Sequence, residues 1–91
     1  MPVYLEIVFT KAAERDFEQL PRETRERVDR RLFSLAQEPL PAGAEKLDEN
    51  TFRVRVGAYR IIYGFENNNL VILVIRIRHR KEVYRRLLGR R

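Results

Sequence analysis

Residues 51–63 read Thr51-Phe52-Arg53-Val54-Arg55-Val56-Gly57-Ala58-Tyr59-Arg60-Ile61-Ile62-Tyr63. Phe52, Val54 and Val56 alternate with Arg53 and Arg55; after Gly57-Ala58, the residues Tyr59, Ile61 and Tyr63 alternate with Arg60 and Ile62. A period of two belongs to a strand with one covered face. Glycine at the first central position is what a two-residue type II′ hairpin requires, because that position takes a positive φ. The register then sets Val56 against Tyr59, Arg55 against Arg60, Val54 against Ile61 and Arg53 against Ile62. The aromatic and aliphatic members share one face, and Arg53, Arg55 and Arg60 share the other.

Outward from this hairpin, Leu70 to Arg78 is apolar on both faces until Arg76, the pattern of a central strand. The segment from Glu66 to Asn69 closes the intervening turn. One residue more or less in that connection moves Arg76 and Arg78 to the other face, so their side stays open at this level. Upstream, Val3, Leu5, Ile7 and Phe9 alternate with Tyr4 and Glu6 as a strand. Thr10 offers an N-cap oxygen, and Ala13, Phe17 and Leu20 fall on one helical face. Pro21, lacking an amide hydrogen, suits the first turn of a second helix, with Val28, Leu32, Leu35 and Ala36 as its apolar stripe and Pro39 as its end. The alternating Glu and Arg of its polar face read as a solvated surface. Residues 80–88 read as a short amphipathic helix or turn with Val83 and Leu87 inward. The expected fold is α+β, in the order β-α-α-β-β-β, with a mainly antiparallel sheet, a short C-terminal helix and one domain over residues 1–91.

The 91 residues contain no cysteine and one histidine, His79. Neither a disulfide framework nor a thiolate metal site is available, one histidine cannot hold zinc alone, and no metal or cofactor is expected. No basic leader precedes the first strand and no apolar run approaches the roughly 18 residues of a membrane span. A cytoplasmic protein without a membrane partner is the expectation. The formal charge of +6 is sorted along the chain: residues 1–50 carry 8 basic and 11 acidic side chains, residues 51–91 carry 11 basic and 2 acidic. Solubility does not require that sorting, whereas a polyanionic partner rewards it.

Like charges opposite one another across a strand pair are unfavourable, so a sheet gains nothing by gathering Arg53, Arg55 and Arg60. An ordinary structural role would need carboxylates from Asp48, Glu49 or the second helix. A phosphate clamp needs none, because guanidinium groups present planar paired donors that match phosphate oxygens. Cleaving RNA by internal attack of a 2′-hydroxyl also needs a proton acceptor, and arginine keeps its proton at ordinary pH. His79 is the one side chain with an unperturbed pKa near neutrality, and surrounding positive charge favours its neutral form. Tyr84 suits either core cover or stacking on an unpaired base. Lys46, ahead of the sheet, is either a solubilising lysine or a further phosphate contact.

The run Lys46-Leu47, the hairpin Arg55-Val56-Gly57-Ala58-Tyr59-Arg60-Ile61-Ile62-Tyr63 and the ending His79-Arg80-Lys81-Glu82-Val83-Tyr84 strongly resemble the RelE-type toxins of the RelE/ParE superfamily. The resemblance covers nearly the whole chain. It implies a small α+β toxin that enters the ribosomal decoding site, cuts the exposed codon and is held inactive by a RelB-like antitoxin, meeting operator DNA only in complex with that antitoxin. It carries catalytic roles onto Arg53, Arg55, Arg60, Arg80 and Tyr84, with His79 beside them; Lys46, Arg76, Arg78, Lys81 and Arg85 are the expected RNA contacts. Family members often have lysine where Arg53 and Arg55 stand. Other branches pair a glutamate with a histidine, and the sequence places no carboxylate evidently for that. The competing functions are a ParE-like inhibitor of DNA gyrase, which shares the fold but not a basic, tyrosine-bearing ending, and an inactive regulator that binds only antitoxin and operator.

Overall fold

The computed structural model describes residues 4–80. All of the expected C-terminal helix except Arg80 falls outside that range, Lys81, Tyr84 and Arg85 included. Seven elements follow one another: β1 (Glu6–Phe9), α1 (Lys11–Glu18), α2 (Arg22–Gln37), β2 (Glu45–Asp48), β3 (Thr51–Val56), β4 (Tyr59–Glu66) and β5 (Val71–His79). The strands form one sheet in the order β1-β5-β4-β3-β2. β1 runs parallel to β5 and every other pairing is antiparallel. The sheet thus has one strand more than the expected order: Glu45–Asp48 pairs with β3 as a short, fully exposed edge, so Lys46 lies within the sheet and not ahead of it.

The β3–β4 hairpin has the register that the Gly57 turn dictates, with Val56 opposite Tyr59, Arg55 opposite Arg60, Val54 opposite Ile61 and Arg53 opposite Ile62. Gly57 has a φ of 59° and Ala58 is not among the positive-φ residues, as a type II′ turn demands. The other hairpin turn is carried by Asn67, Asn68 and Asn69, all at positive φ, which asparagine tolerates better than most residues. Both helices cover the apolar face. Val28, Leu32 and Leu35 of α2 and Ala13 of α1 are buried with Val54, Ile61, Tyr63, Ile72, Val74 and Ile77. Tyr63 is fully buried and its hydroxyl donates to the Pro39 carbonyl at 2.7 Å. The largest core side chain therefore leaves no polar atom unsatisfied.

β1 covers only the first half of β5, and α1 takes over the rest of that edge. The Thr10 amide donates to the Val74 carbonyl, and the Thr10 hydroxyl accepts from Ala13 while donating to the Ile75 carbonyl at 2.8 Å. One side chain therefore caps the helix and satisfies the strand. Further along, the Asp16 carboxylate accepts the Ile77 amide at 2.9 Å and both Nε and Nη2 of Arg76, at 2.8 and 3.1 Å. Between these anchors Ile62 pairs with Arg76 while Tyr63 pairs with Val74, so Ile75 is an extra residue, a β-bulge. No helix among the described residues is long and apolar enough to cross a membrane.

Gly64 fixes the far end of β3 against β4. A Cβ there would stand 2.5 Å from the Asn50 backbone oxygen, and Asn50 is itself held by its side-chain amide donating to the Phe65 carbonyl. Gly64→Ala should therefore destabilise the protein by about 2 kcal/mol, within the range for overpacking a fitted interior. Urea unfolding measures it, and a midpoint equal to that of the wild type would refute the close approach.

Candidate functional site

The bulge at Ile75 determines the composition of the arginine face. It sets Arg78 opposite Arg60 and His79 opposite Tyr59. Arg60 in turn stands opposite Arg55, so Arg78, Arg60 and Arg55 form a row across three strands, with Arg53 two residues along. Arg80 joins them beyond the end of β5, its amide donating to the Ala58 carbonyl at 2.7 Å. Partial burial, followed by the charges of Arg53, Arg55 and Arg80, pushes the Arg60 pKa below the ordinary guanidinium value, with Glu45 opposing. Arg60 is the centre of the cluster.

A carboxylate does reach this face, contrary to the sequence expectation. It comes from none of Asp48, Glu49 or the α2 glutamates. Glu45 pairs with Arg53 across β2 and β3, and its Oε1 accepts from Arg53 Nε at 2.6 Å. That hydrogen bond, then the Arg53 charge and the charges of Arg60 and Arg55, hold the Glu45 carboxyl below its usual range. Glu45 is thus an anion at neutral pH, aligning one guanidinium while leaving the cluster strongly positive. If Arg53 also meets an RNA backbone, Glu45→Gln should steepen the salt dependence of RNA binding by about 0.7 in log K against log salt, one single-strand phosphate contact. An unchanged slope would show that Arg53 serves Glu45 alone.

His79 does not lie beside the arginines. Its ring stands edge-on to Tyr59, centroids 5.0 Å apart, on the face that the helices cover. There it lines a cleft of about 110 Å³ with Asp16, Gln19, Leu20, Tyr59 and Ile77. His79 was expected to accept a proton from a substrate held on the arginine face, but adjacent strand residues point to opposite sides, and Arg78 and Arg80, not His79, flank the cluster. A general base is worth about 10²–10⁴ in rate. His79→Gln should keep single-turnover cleavage within about threefold of wild type, and a loss on the general-base scale would return His79 to the chemistry.

Arg76 has the Asp16 carboxylate as a bidentate partner, so it ties α1 to β5. Lys46 is exposed on the edge strand opposite Phe52. Of the residues that sequence reasoning missed, Asp16 left a signal: it sits three after Ala13 and four before Leu20, a carboxylate on the helix's apolar stripe. Glu45 left none. Among the described residues no three His, Cys, Asp or Glu side chains gather as a metal site. The chemistry available is recognition of phosphate by converging guanidiniums, and electrostatic stabilisation of charge that grows on it.

Comparison with known proteins gives these surfaces a context. The model of the ParE toxin family of type II toxin-antitoxin systems, parDE, matches residues 7–84. Toxin RelG of Mycobacterium tuberculosis is 35% identical over 81 residues, covering 86% of this chain and 93% of that protein. Toxin RelE3 of Methanocaldococcus jannaschii is 31% identical over 87 residues, covering 88% of this chain and 96% of that protein. Among solved structures, a chain of the toxin-antitoxin complex RelBE2 from Mycobacterium tuberculosis superposes with a TM-score of 0.74 at 29% identity, over 87% of this chain and 94% of that one.

Proposed function

The chain belongs to the ParE toxin family of type II toxin-antitoxin systems, within the RelE/ParE superfamily, and from that membership we propose that it is a ribosome-dependent messenger RNA endonuclease. The observation that carries this reading is the row Arg55, Arg60 and Arg78 on one sheet face, with Arg53 and Arg80 at its margins. Repulsion within such a row costs stability, and an anionic substrate offsets it. The scissile phosphodiester of an A-site codon docks on this face. Attack by the adjacent 2′-hydroxyl on phosphorus builds negative charge on the non-bridging oxygens, which the guanidiniums neutralise. The 2′-hydroxyl proton passes to water, the P–O5′ bond breaks, and the departing 5′-oxygen takes a proton from water, leaving a 2′,3′-cyclic phosphate on one fragment and a 5′-hydroxyl on the other. Arginine performs this task without giving up its proton. Tyr84 belongs to the same proposal through the family resemblance, and Lys81 and Arg85 belong to it as further RNA contacts.

The partner follows from the same charge. An acidic, RelB-like antitoxin covers the basic face and silences it, and operator DNA is met only through that complex. The relative RelBE2 was solved as such a toxin-antitoxin complex. One observation favours a second reading: the matching family model bears the name of ParE toxins, so inhibition of DNA gyrase is the alternative. Inducing the protein and mapping messenger 5′ ends separates the two. Codon-phased ends in translated messages are expected; intact messages with gyrase trapped on DNA would overturn the nuclease reading.

A further inference from the structure

A second basic surface lies at the edge of the sheet. β2 reaches along β3 only as far as Arg53, so among the described residues the edge at Arg55 and Val56 has no strand beside it. Against that open edge α2 sets Arg27, Arg30, Arg31 and Ser34, whose spacing of i, i+3, i+4 and i+7 makes one helical stripe. With Arg55, Val56 and Gly57 they line a cleft of about 370 Å³. Arg27 lies over the Gly57 turn, its guanidinium 3.1–3.4 Å from where a Cβ would stand, so the turn glycine also seats an arginine. Arg31 is half-buried and its Nε is fully covered without a hydrogen-bond partner. None of these four arginines makes an ion pair among the described residues, although Glu23 sits one turn before Arg27 on the same helix.

Four uncompensated guanidiniums converging from two elements cost repulsion, and a covered donor left unmade costs more. We infer that this cleft is a second phosphate-binding site, which takes adjacent phosphate groups, either of a nucleic-acid backbone or of a free oligophosphate. Three features favour phosphate over the carboxylates of an acidic peptide. The charged lining is arginine only, matched to tetrahedral oxyanions that accept from several directions. The Ser34 hydroxyl adds a neutral donor. Val56 is the single apolar side chain of the lining, so a peptide would find no anchor. The site stands apart from the cleavage reading, since none of its features requires the sheet face to cut RNA, yet Arg55 borders both and makes the two surfaces continuous.

The test uses probes that cannot be cut, a 2′-O-methylated ten-nucleotide RNA and tripolyphosphate, titrated into the full chain. The variants are Arg27→Gln with Arg30→Gln, both exposed positions, and Arg31→Lys, which keeps the charge but deletes Nε; Arg60→Gln reports on the sheet face. The double variant should bind at least one probe fivefold more weakly or worse. If the RNA is affected, the slope of log K against log salt should fall by about 1.4, two single-strand contacts. Loss for the RNA alone identifies a nucleic-acid backbone, loss for tripolyphosphate alone a free oligophosphate, and Arg31→Lys should weaken the same probe. Unchanged binding of both probes in the double variant and in Arg31→Lys overturns the site. A decaglutamate peptide that loses affinity in the double variant when neither phosphate probe does would overturn it also. An RNA defect confined to Arg60→Gln would contradict the cleft and leave the sheet-face reading standing, whereas a defect confined to the cleft variants supports the cleft and leaves the sheet-face reading to the turnover of Arg60→Gln.

Discussion

Arg60→Gln is expected to lower single-turnover cleavage of ribosome-bound message about 100-fold, with the fold intact. Arg60 is flanked by Arg55 on one strand and Arg78 on the other, and its depressed pKa reports both partial burial and the crowding of Arg53, Arg55 and Arg80. The central group of a clamp meets the phosphate wherever it docks. Losing one preorganised donor to a developing oxyanion costs about 10²–10³ in rate. Glutamine keeps a donor but loses the charge and the fork, so the lower end of that range applies. Message binding should weaken far less than turnover, because the neighbouring arginines still supply the long-range attraction. Equal losses in binding and turnover would make Arg60 a ground-state contact, and an unaltered rate would remove it from the site.

Asp16→Ala should cost about 2 kcal/mol of stability and lower the melting temperature by roughly 10 °C, given the roughly 4–8 °C per kcal/mol typical of domains this size. The carboxylate ends the open edge of β5, receiving the Ile77 amide and a bidentate Arg76. Breaking a fully buried pair costs about 3–5 kcal/mol. Here the Arg76 side chain is 34% exposed and that of Asp16 15%, so solvent relieves part of the loss. Burial alone would raise the Asp16 pKa, but the bonds from Arg76 and the Ile77 amide outweigh it and hold the carboxyl below its ordinary value. A depressed folded pKa contributes stability that is complete above the ordinary carboxylate range and is lost as pH falls through the folded value. The gap between wild type and Asp16→Ala should therefore be full at pH 7 and close below about pH 4. A gap independent of pH would mean that packing, not charge, explains the loss.

The sequence made the β3–β4 hairpin legible because everything needed is local: a glycine with positive φ, a two-residue turn and strict alternation on both sides. The same holds for the two helices, where Thr10 and the Val28 to Ala36 stripe speak for themselves. β2 was not legible, since Glu45, Lys46 and Asp48 are charged and Leu47 is exposed, giving a four-residue edge without alternation. The bulge at Ile75 was not legible either. It depends on Thr10 and Asp16 reaching β5 from far upstream in the chain, a pairing that no local pattern encodes. From that one residue follow the two largest changes to the site: Arg78 joins the cluster, and His79 turns to the helical face. The arginine stripe of α2 looked like a solvated surface in sequence; it became a cleft only because β2 stops at Arg53 and leaves the neighbouring edge open.

Whether converging guanidiniums on one sheet face drive internal transesterification of a codon held on the ribosome is tested most directly by end analysis of the products. The purified protein is added to ribosomes stalled with a defined A-site codon. One cut within that codon is expected, with a 2′,3′-cyclic phosphate upstream and a 5′-hydroxyl downstream, and with the yield of both falling in Arg60→Gln. Message that stays whole at saturating protein, or equal cleavage of free and ribosome-bound RNA, would contradict it.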